Sequence, residues 1–159
     1  MVKPAAIDFF FDEDLILVKD EVQSRDAIIS KLGNLLFLNG LVDNSYTQAV
    51  LERETIFPTG LQARVTGVAI PHTDTAHVLK PAIAIATLAH PIPFQMMGAP
   101  DKEVMVEIVI MLAVHETQLA PQTLSKVIFV LENDEALRSI SQATTKTAIK
   151  NAMQEHILD

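Results

Sequence analysis

The sequence predicts an α/β fold: one domain with a mixed β-sheet flanked by helices on both faces. Three observations carry this expectation. Short apolar runs at 68–70 (VAI), 82–88 (AIAIATL) and 104–114 (VMVEIVIMLAV) have the length and composition of buried strands. Segments toward both ends repeat apolar residues at helical spacing, so strand and helix alternate along the chain. The run 104–114 is apolar on both of its faces. Val104, Val106, Ile108, Ile110 and Leu112 alternate on one side and Met105, Val109 and Met111 fall on the other, as expected of a strand covered on both sides.

The elements follow in order. Residues 15–18 (LILV) form a short strand. Ser24 caps a first helix with Asp26 in its first turn, its apolar stripe being Ile28, Leu32, Leu35 and Leu36, and Asn39-Gly40 stops it. A second helix opens at Ser45, where Gln48 completes a capping box, and runs through Val50 and Leu51 to about Glu54, ahead of Pro58. Pro58-Thr59-Gly60 reads as a turn and 96–100 (MMGAP) as a loop. Proline bounds two of the three middle strands. Helix returns over 119–131, with Leu124, Val127, Ile128 and Leu131 in register. A short turn over 134–140 follows, then a terminal helix faced by Ala148, Ile149, Ala152, Met153 and Ile157.

Composition removes several function classes. At 159 residues and 49% apolar content, one domain spanning 1–159 can bury a sufficient core without staples. Cysteine is absent, which excludes disulfides, zinc–thiolate sites and thiol catalysis and fits a reducing, cytoplasmic location. The first twenty residues carry several acids and no basic region leading into a long apolar run, so no secretory signal is expected. The longest apolar run is broken by Glu107 and is too short to span a bilayer. A net charge of −8 opposes binding to phosphate backbones, so no nucleic-acid partner is expected.

The chemistry concentrates in residues 53–73, RETIFPTGLQARVTGVAIPHT. Pro71 fixes its own φ, lacks a backbone donor and holds Ile70 extended, which places His72 just past the carboxyl end of a strand. That rim is where α/β sheets bind ligands. An imidazole that is neutral near pH 7 has one free lone pair to attack phosphorus, while a neighbouring acceptor fixes the proton on its other nitrogen. Phosphoryl transfer asks mainly for in-line placement and neutralisation of the equatorial oxygens. Arg53, Thr59 and Thr73 supply a guanidinium and two hydroxyls nearby in sequence. The ordinary alternatives are a surface ion pair for Arg53 and a plain turn residue for Thr59.

In combination, Arg53-Glu54, Pro58-Thr59-Gly60 and Ala69-Ile70-Pro71-His72-Thr73 resemble the enzyme IIA domains of the bacterial sugar phosphotransferase system, fructose–mannitol type. The likeness runs over about 15–157. It implies that His72 takes a phosphoryl group from the histidine phosphocarrier protein and passes it to a cysteine of enzyme IIB. By the same resemblance Arg53 is the phosphate-site arginine, and the membrane is met only indirectly, through enzyme IIC. Mannitol-type members place a second active-site histidine in a His-Ile or His-Leu pair after the long strand, where this chain has Gln118-Leu119. Glutamine can hydrogen-bond a phosphate or orient His72 but brings no charge. Gln-Leu resembles the galactitol branch, so galactitol or a related polyol or pentose is the sugar implied. His115 is the residue nearest to hand for the missing histidine's role.

His72, Asp74 and His77 form H-x-D-x-x-H, a spacing that does not stack ligands on one helix face, so metal-dependent hydrolysis is the remote alternative and neither metal nor cofactor is expected. His90 reads as a structural strand-end residue and His156 as a last-turn partner of the helix dipole. The competing class is a regulatory enzyme IIA-like module, phosphorylated on the same histidine to control another protein.

Overall fold

The computed structural model describes residues 9–114, 129 and 131–158. Among these, five strands make one mixed sheet: β1 (Ile16–Asp20), β2 (Gly60–Gln62), β3 (Gly67–Ala69), β4 (Ala82–Met96) and β5 (Ala99–Ala113). β4 and β5 pair antiparallel as a long hairpin, closed by Met97 and by Gly98 at φ 77°. β1 runs parallel to β4, β3 runs parallel to β5, and β2 returns antiparallel on β3. β2 also touches the far end of β4, Gly60 opposite Met96.

Two apolar cores lie on opposite faces, which is why the strands are apolar on both sides. Helices α1 (Arg25–Leu38) and α2 (Tyr46–Ile56) bury Ile28, Leu32, Leu36, Tyr46 and Val50 against Ala84, Ala86, Val109 and Met111. Helices α3 (Asp134–Gln142) and α4 (Lys146–Met153) bury Leu137, Ile140, Ile149 and Met153 against Ile83, Ile85, Ile108 and Ile110. No helix among the described residues is long and apolar enough to cross a membrane.

The start and stop of α1 are those expected: the Ser24 hydroxyl accepts the Ala27 N–H at 3.1 Å, and Gly40 turns the chain at φ 72°. Other expectations change, among them the 96–100 loop, of which only Met97 and Gly98 form a turn while Met96, Ala99 and Pro100 lie in strands. Ser45 forms no capping box, because its backbone is already helical and its hydroxyl pairs with His77 Nδ1 at 2.8 Å, while Gln48 reaches Glu52. β4 does not stop at Leu88 but continues through Pro91 and Pro93. The pairing with β1 ends at Leu88, and β4 is irregular between Thr87 and Ile92, so missing N–H groups are tolerated there. His90 accordingly sits exposed inside the strand rather than at its end. The alternation of β5 is not continuous either. A bulge near Glu107 puts Val104 and Val106 in the core with Val109 and Met111, and turns Ile108, Ile110 and Leu112 to the other side.

The segment 134–140 is helix, not turn. Asn133 caps it by accepting the Ala136 N–H at 3.0 Å, and Asp134 and Glu135 favour its N-terminus. β2 has no counterpart among the strands expected from the sequence. His115, Gln118 and all of the expected 119–131 helix apart from 129 and 131 lie outside the described residues.

Candidate functional site

Three segments converge beyond the end of β3. The chain leaves the strand at Ala69, and Ile70, Pro71 and His72 follow in extended or irregular backbone. Leu112 of β5 fastens this exit by donating its N–H to the Pro71 carbonyl at 3.0 Å. Helix α2 approaches with Arg53 and Glu54 in its last turn. The Pro58-Thr59-Gly60 segment lies between them and leads into β2.

His72 is partly buried, and its Nδ1 lies 2.9 Å from the carbonyl oxygen of Ile70. A carbonyl only accepts, so Nδ1 carries the proton and Nε2 keeps its lone pair. Burial is the main force lowering the pKa of His72 below 6.5. The bond to Ile70 and the carboxylate of Asp74 oppose the shift, and the positive charge of Arg53 adds to it. The ring is thereby biased toward the neutral, nucleophilic form with a defined free nitrogen.

Arg53 is close enough for its charge to act on His72. Its guanidinium lies 5.0 Å from the centre of the Phe57 ring, and Nη1 is 3.9 Å from Asp74 Oδ1, a long contact to an exposed carboxylate. Its Nε is buried and has no hydrogen-bond partner among the described residues. A guanidinium so loosely held retains donors for an anion.

Thr59 is placed differently from a plain phosphate donor. It is 3% exposed, its N–H donates to Glu54 Oε2 at 2.7 Å, and its hydroxyl donates to Glu54 Oε1 at 2.8 Å. The same hydroxyl accepts the Ile70 N–H at 3.2 Å. The turn therefore presents no free Thr59 amide or hydroxyl proton to an anion. Gly60 is required by close approach: a Cβ there would come within 2.6 Å of the Gln95 carbonyl oxygen. Thr73 is buried directly after His72.

Glu54 is the site residue without a role in the sequence expectations. A signal existed, since an acid in the last turn of a helix opposes the helix dipole and so implies a tertiary partner. Burial raises its pKa, against the lowering effect of both Thr59 donors and of Arg25. His77 points elsewhere, to Ser45 at the opposite end of α2 from Arg53. Among the described residues no three His, Cys, Asp or Glu side chains are grouped to hold a metal.

Comparison with known proteins bears on this arrangement. Residues 9–156 match the family model described as phosphoenolpyruvate-dependent sugar phosphotransferase system, EIIA 2. The galactitol-specific EIIA component of Escherichia coli K12 is 27% identical over 135 residues, 85% of this chain and 89% of that protein. The transcriptional regulator ManR of Bacillus subtilis is 31% identical over 132 residues, 82% of this chain but only 19% of the regulator. Among solved structures, the mannitol enzyme IIA of E. coli superposes with a TM-score of 0.70 at 18% identity, covering 91% of this chain and 99% of that one. The same E. coli protein in complex with phosphorylated enzyme IIB gives 0.71 at 19% identity, covering 92% and 99%. At these identities the structural likeness speaks for the fold.

Proposed function

The chain belongs to the EIIA 2 family of the phosphoenolpyruvate-dependent sugar phosphotransferase system and is thus a phosphotransferase component, and on that premise we propose that His72 carries the phosphoryl group on Nε2. The observation that carries this reading is the Nδ1–H bond to the Ile70 carbonyl, which leaves Nε2 as the free nucleophile beside the Arg53 guanidinium.

The Nε2 lone pair attacks the phosphorus of a phosphohistidine on the histidine phosphocarrier protein. The new N–P bond forms as the donor's N–P bond breaks, and Nδ1 keeps its proton throughout. Arg53 neutralises charge on the equatorial oxygens, Thr73 lies beside them, and Thr59 holds the backbone that aims the ring. Gln118 is read as a further hydrogen-bonding group, with His115 as its alternative. In the onward step a cysteine thiolate of enzyme IIB attacks the same phosphorus, the S–P bond forms as the Nε2–P bond breaks, and the electron pair returns to Nε2 to regenerate the neutral ring. The complex of the E. coli mannitol enzyme IIA with phosphorylated enzyme IIB supports that partner. The relatives specific for galactitol support galactitol or a related polyol as the sugar. The whole of 1–159 is read as one cytoplasmic enzyme IIA unit reaching the membrane only through enzyme IIC, with no metal or cofactor.

The likeness to ManR favours a second reading, in which the phosphorylated domain regulates another protein. Incubation with phosphoenolpyruvate and the general carrier proteins tests the first claim: wild type gains an acid-labile label and His72→Ala gains none. Equal labelling of both refutes the assignment. Onward transfer to a cognate enzyme IIB separates transport from regulation, since a regulator accepts phosphate but loads no cysteine.

A further inference from the structure

Two arms of hydrogen bonds run from α2 to the segment that carries His72, and a buried carboxylate stands at the root of one. Glu54 is 1% exposed and spends both carboxylate oxygens on Thr59, one on its N–H and one on its hydroxyl. A hydroxyl whose proton goes to a carboxylate has only lone pairs left to offer, and it uses one to accept the Ile70 N–H. The Ile70 carbonyl in turn receives the His72 Nδ1–H. The other arm starts at Tyr46, whose hydroxyl donates to the Leu112 carbonyl at 2.7 Å, while the Leu112 N–H holds the Pro71 carbonyl.

The carbonyl that fixes the imidazole is therefore clamped on both sides, through the N–H of its own residue and through the carbonyl of the next. Between the clamps lies an Ile-Pro peptide, which has no N–H and restricts the residue before it. The chemistry at position 54 is particular. An amide there would present one acceptor oxygen and one donor nitrogen, matching one Thr59 donor and opposing the other. Only a carboxylate accepts both, despite the cost of burying it against the end of a helix.

We propose that Glu54 is a positioning residue for phosphoryl transfer, which holds the His72 ring in the Nδ1–H tautomer by acting through Thr59 and the Ile70 backbone. The proposal deepens the reading of His72 as the phosphoryl acceptor and rests on it. Its test has a readout that needs no partner: ¹⁵N spectra of the unphosphorylated His72 ring, recorded where the ring is neutral, report which nitrogen bears the proton. Wild type shows the proton on Nδ1. Glu54→Gln and Thr59→Val shift it toward Nε2 and slow phosphoryl acceptance ~10- to 100-fold, the scale of a small misplacement. Thr59→Ser, which keeps the hydroxyl, restores the Nδ1–H form. Amide spectra establish that each variant is folded, and if Thr59→Val does not fold, the isosteric Glu54→Gln decides. Wild-type ring shifts in folded Glu54→Gln overturn the proposal whatever the rate. Failure of wild-type His72 to take a label at all would instead overturn the functional reading and leave the tautomer result standing.

Discussion

Tyr46→Phe isolates one hydrogen bond in the buried layer beneath the site. The Tyr46 ring is fully buried among α1, α2 and the sheet, so phenylalanine fills the same space and only the hydroxyl is lost. That hydroxyl donates to the Leu112 carbonyl at 2.7 Å, and burial pushes its pKa far up, so it remains a donor at every usable pH. If the carbonyl keeps a ladder partner in the β4–β5 hairpin, the loss is one net hydrogen bond, about 1 kcal/mol. If the oxygen is stranded, the cost rises to about 3 kcal/mol. Urea titration should show a lower midpoint with an unchanged m value, and the melting temperature should fall by about 2–4 °C for each kcal/mol. A loss under about 0.5 kcal/mol, the level of a neutral surface change, would refute the buried bond.

Arg53→Ala should slow phosphoryl transfer by more than ~10-fold, the loss of one charge-assisted contact, and wild-type rates would reduce Arg53 to a surface residue. Burial lowers the pKa of His72, so an NMR titration should place its midpoint below 6.5 and phosphoryl acceptance should persist into mildly acid solution; a midpoint above 6.5 contradicts the site's electrostatics. Between the lowered folded value and 6.5 the unfolded chain binds the extra proton, so the contribution of His72 is complete above 6.5 and is lost as pH falls through the folded value. His72→Gln should remove that acid limb from the stability profile. Gly60→Ala forces a Cβ against the Gln95 carbonyl and should cost about 1–3 kcal/mol in urea titration; a neutral outcome would deny the close approach.

Local chemistry explains which features could be read from the sequence. The Ser24 cap, the Asn39-Gly40 stop and the placement of His72 after Pro71 depend on a few adjacent residues, and all three are found. The apolar faces of β5 announced helices on both sides of the sheet, as α1, α2, α3 and α4 are. What failed depends on pairing across the sheet. The irregularity that lets β4 pass Pro91, the end of the β1 pairing before Pro93, and the bulge that turns Ile108 away from the face of Val106 are set by register and leave no periodic mark. The short α3 leaves no helical signature in the sequence, because nine residues hold few turns to show a period. At the site, the sequence brought Arg53, Thr59 and His72 into one window but could not show that the Thr59 hydroxyl is spent on Glu54, a contact made by folding α2 back over the turn.

In the proposed carrier, Nε2 of His72 bears the phosphoryl group while Nδ1 keeps its bond to Ile70. The most direct test is ¹⁵N and ³¹P NMR of the protein phosphorylated by the general carrier proteins, with the ring nitrogens labelled. Phosphorus coupled to Nε2 of His72, with the proton retained on Nδ1, is the predicted result. Phosphorus on Nδ1, or on any residue other than His72, would contradict the account.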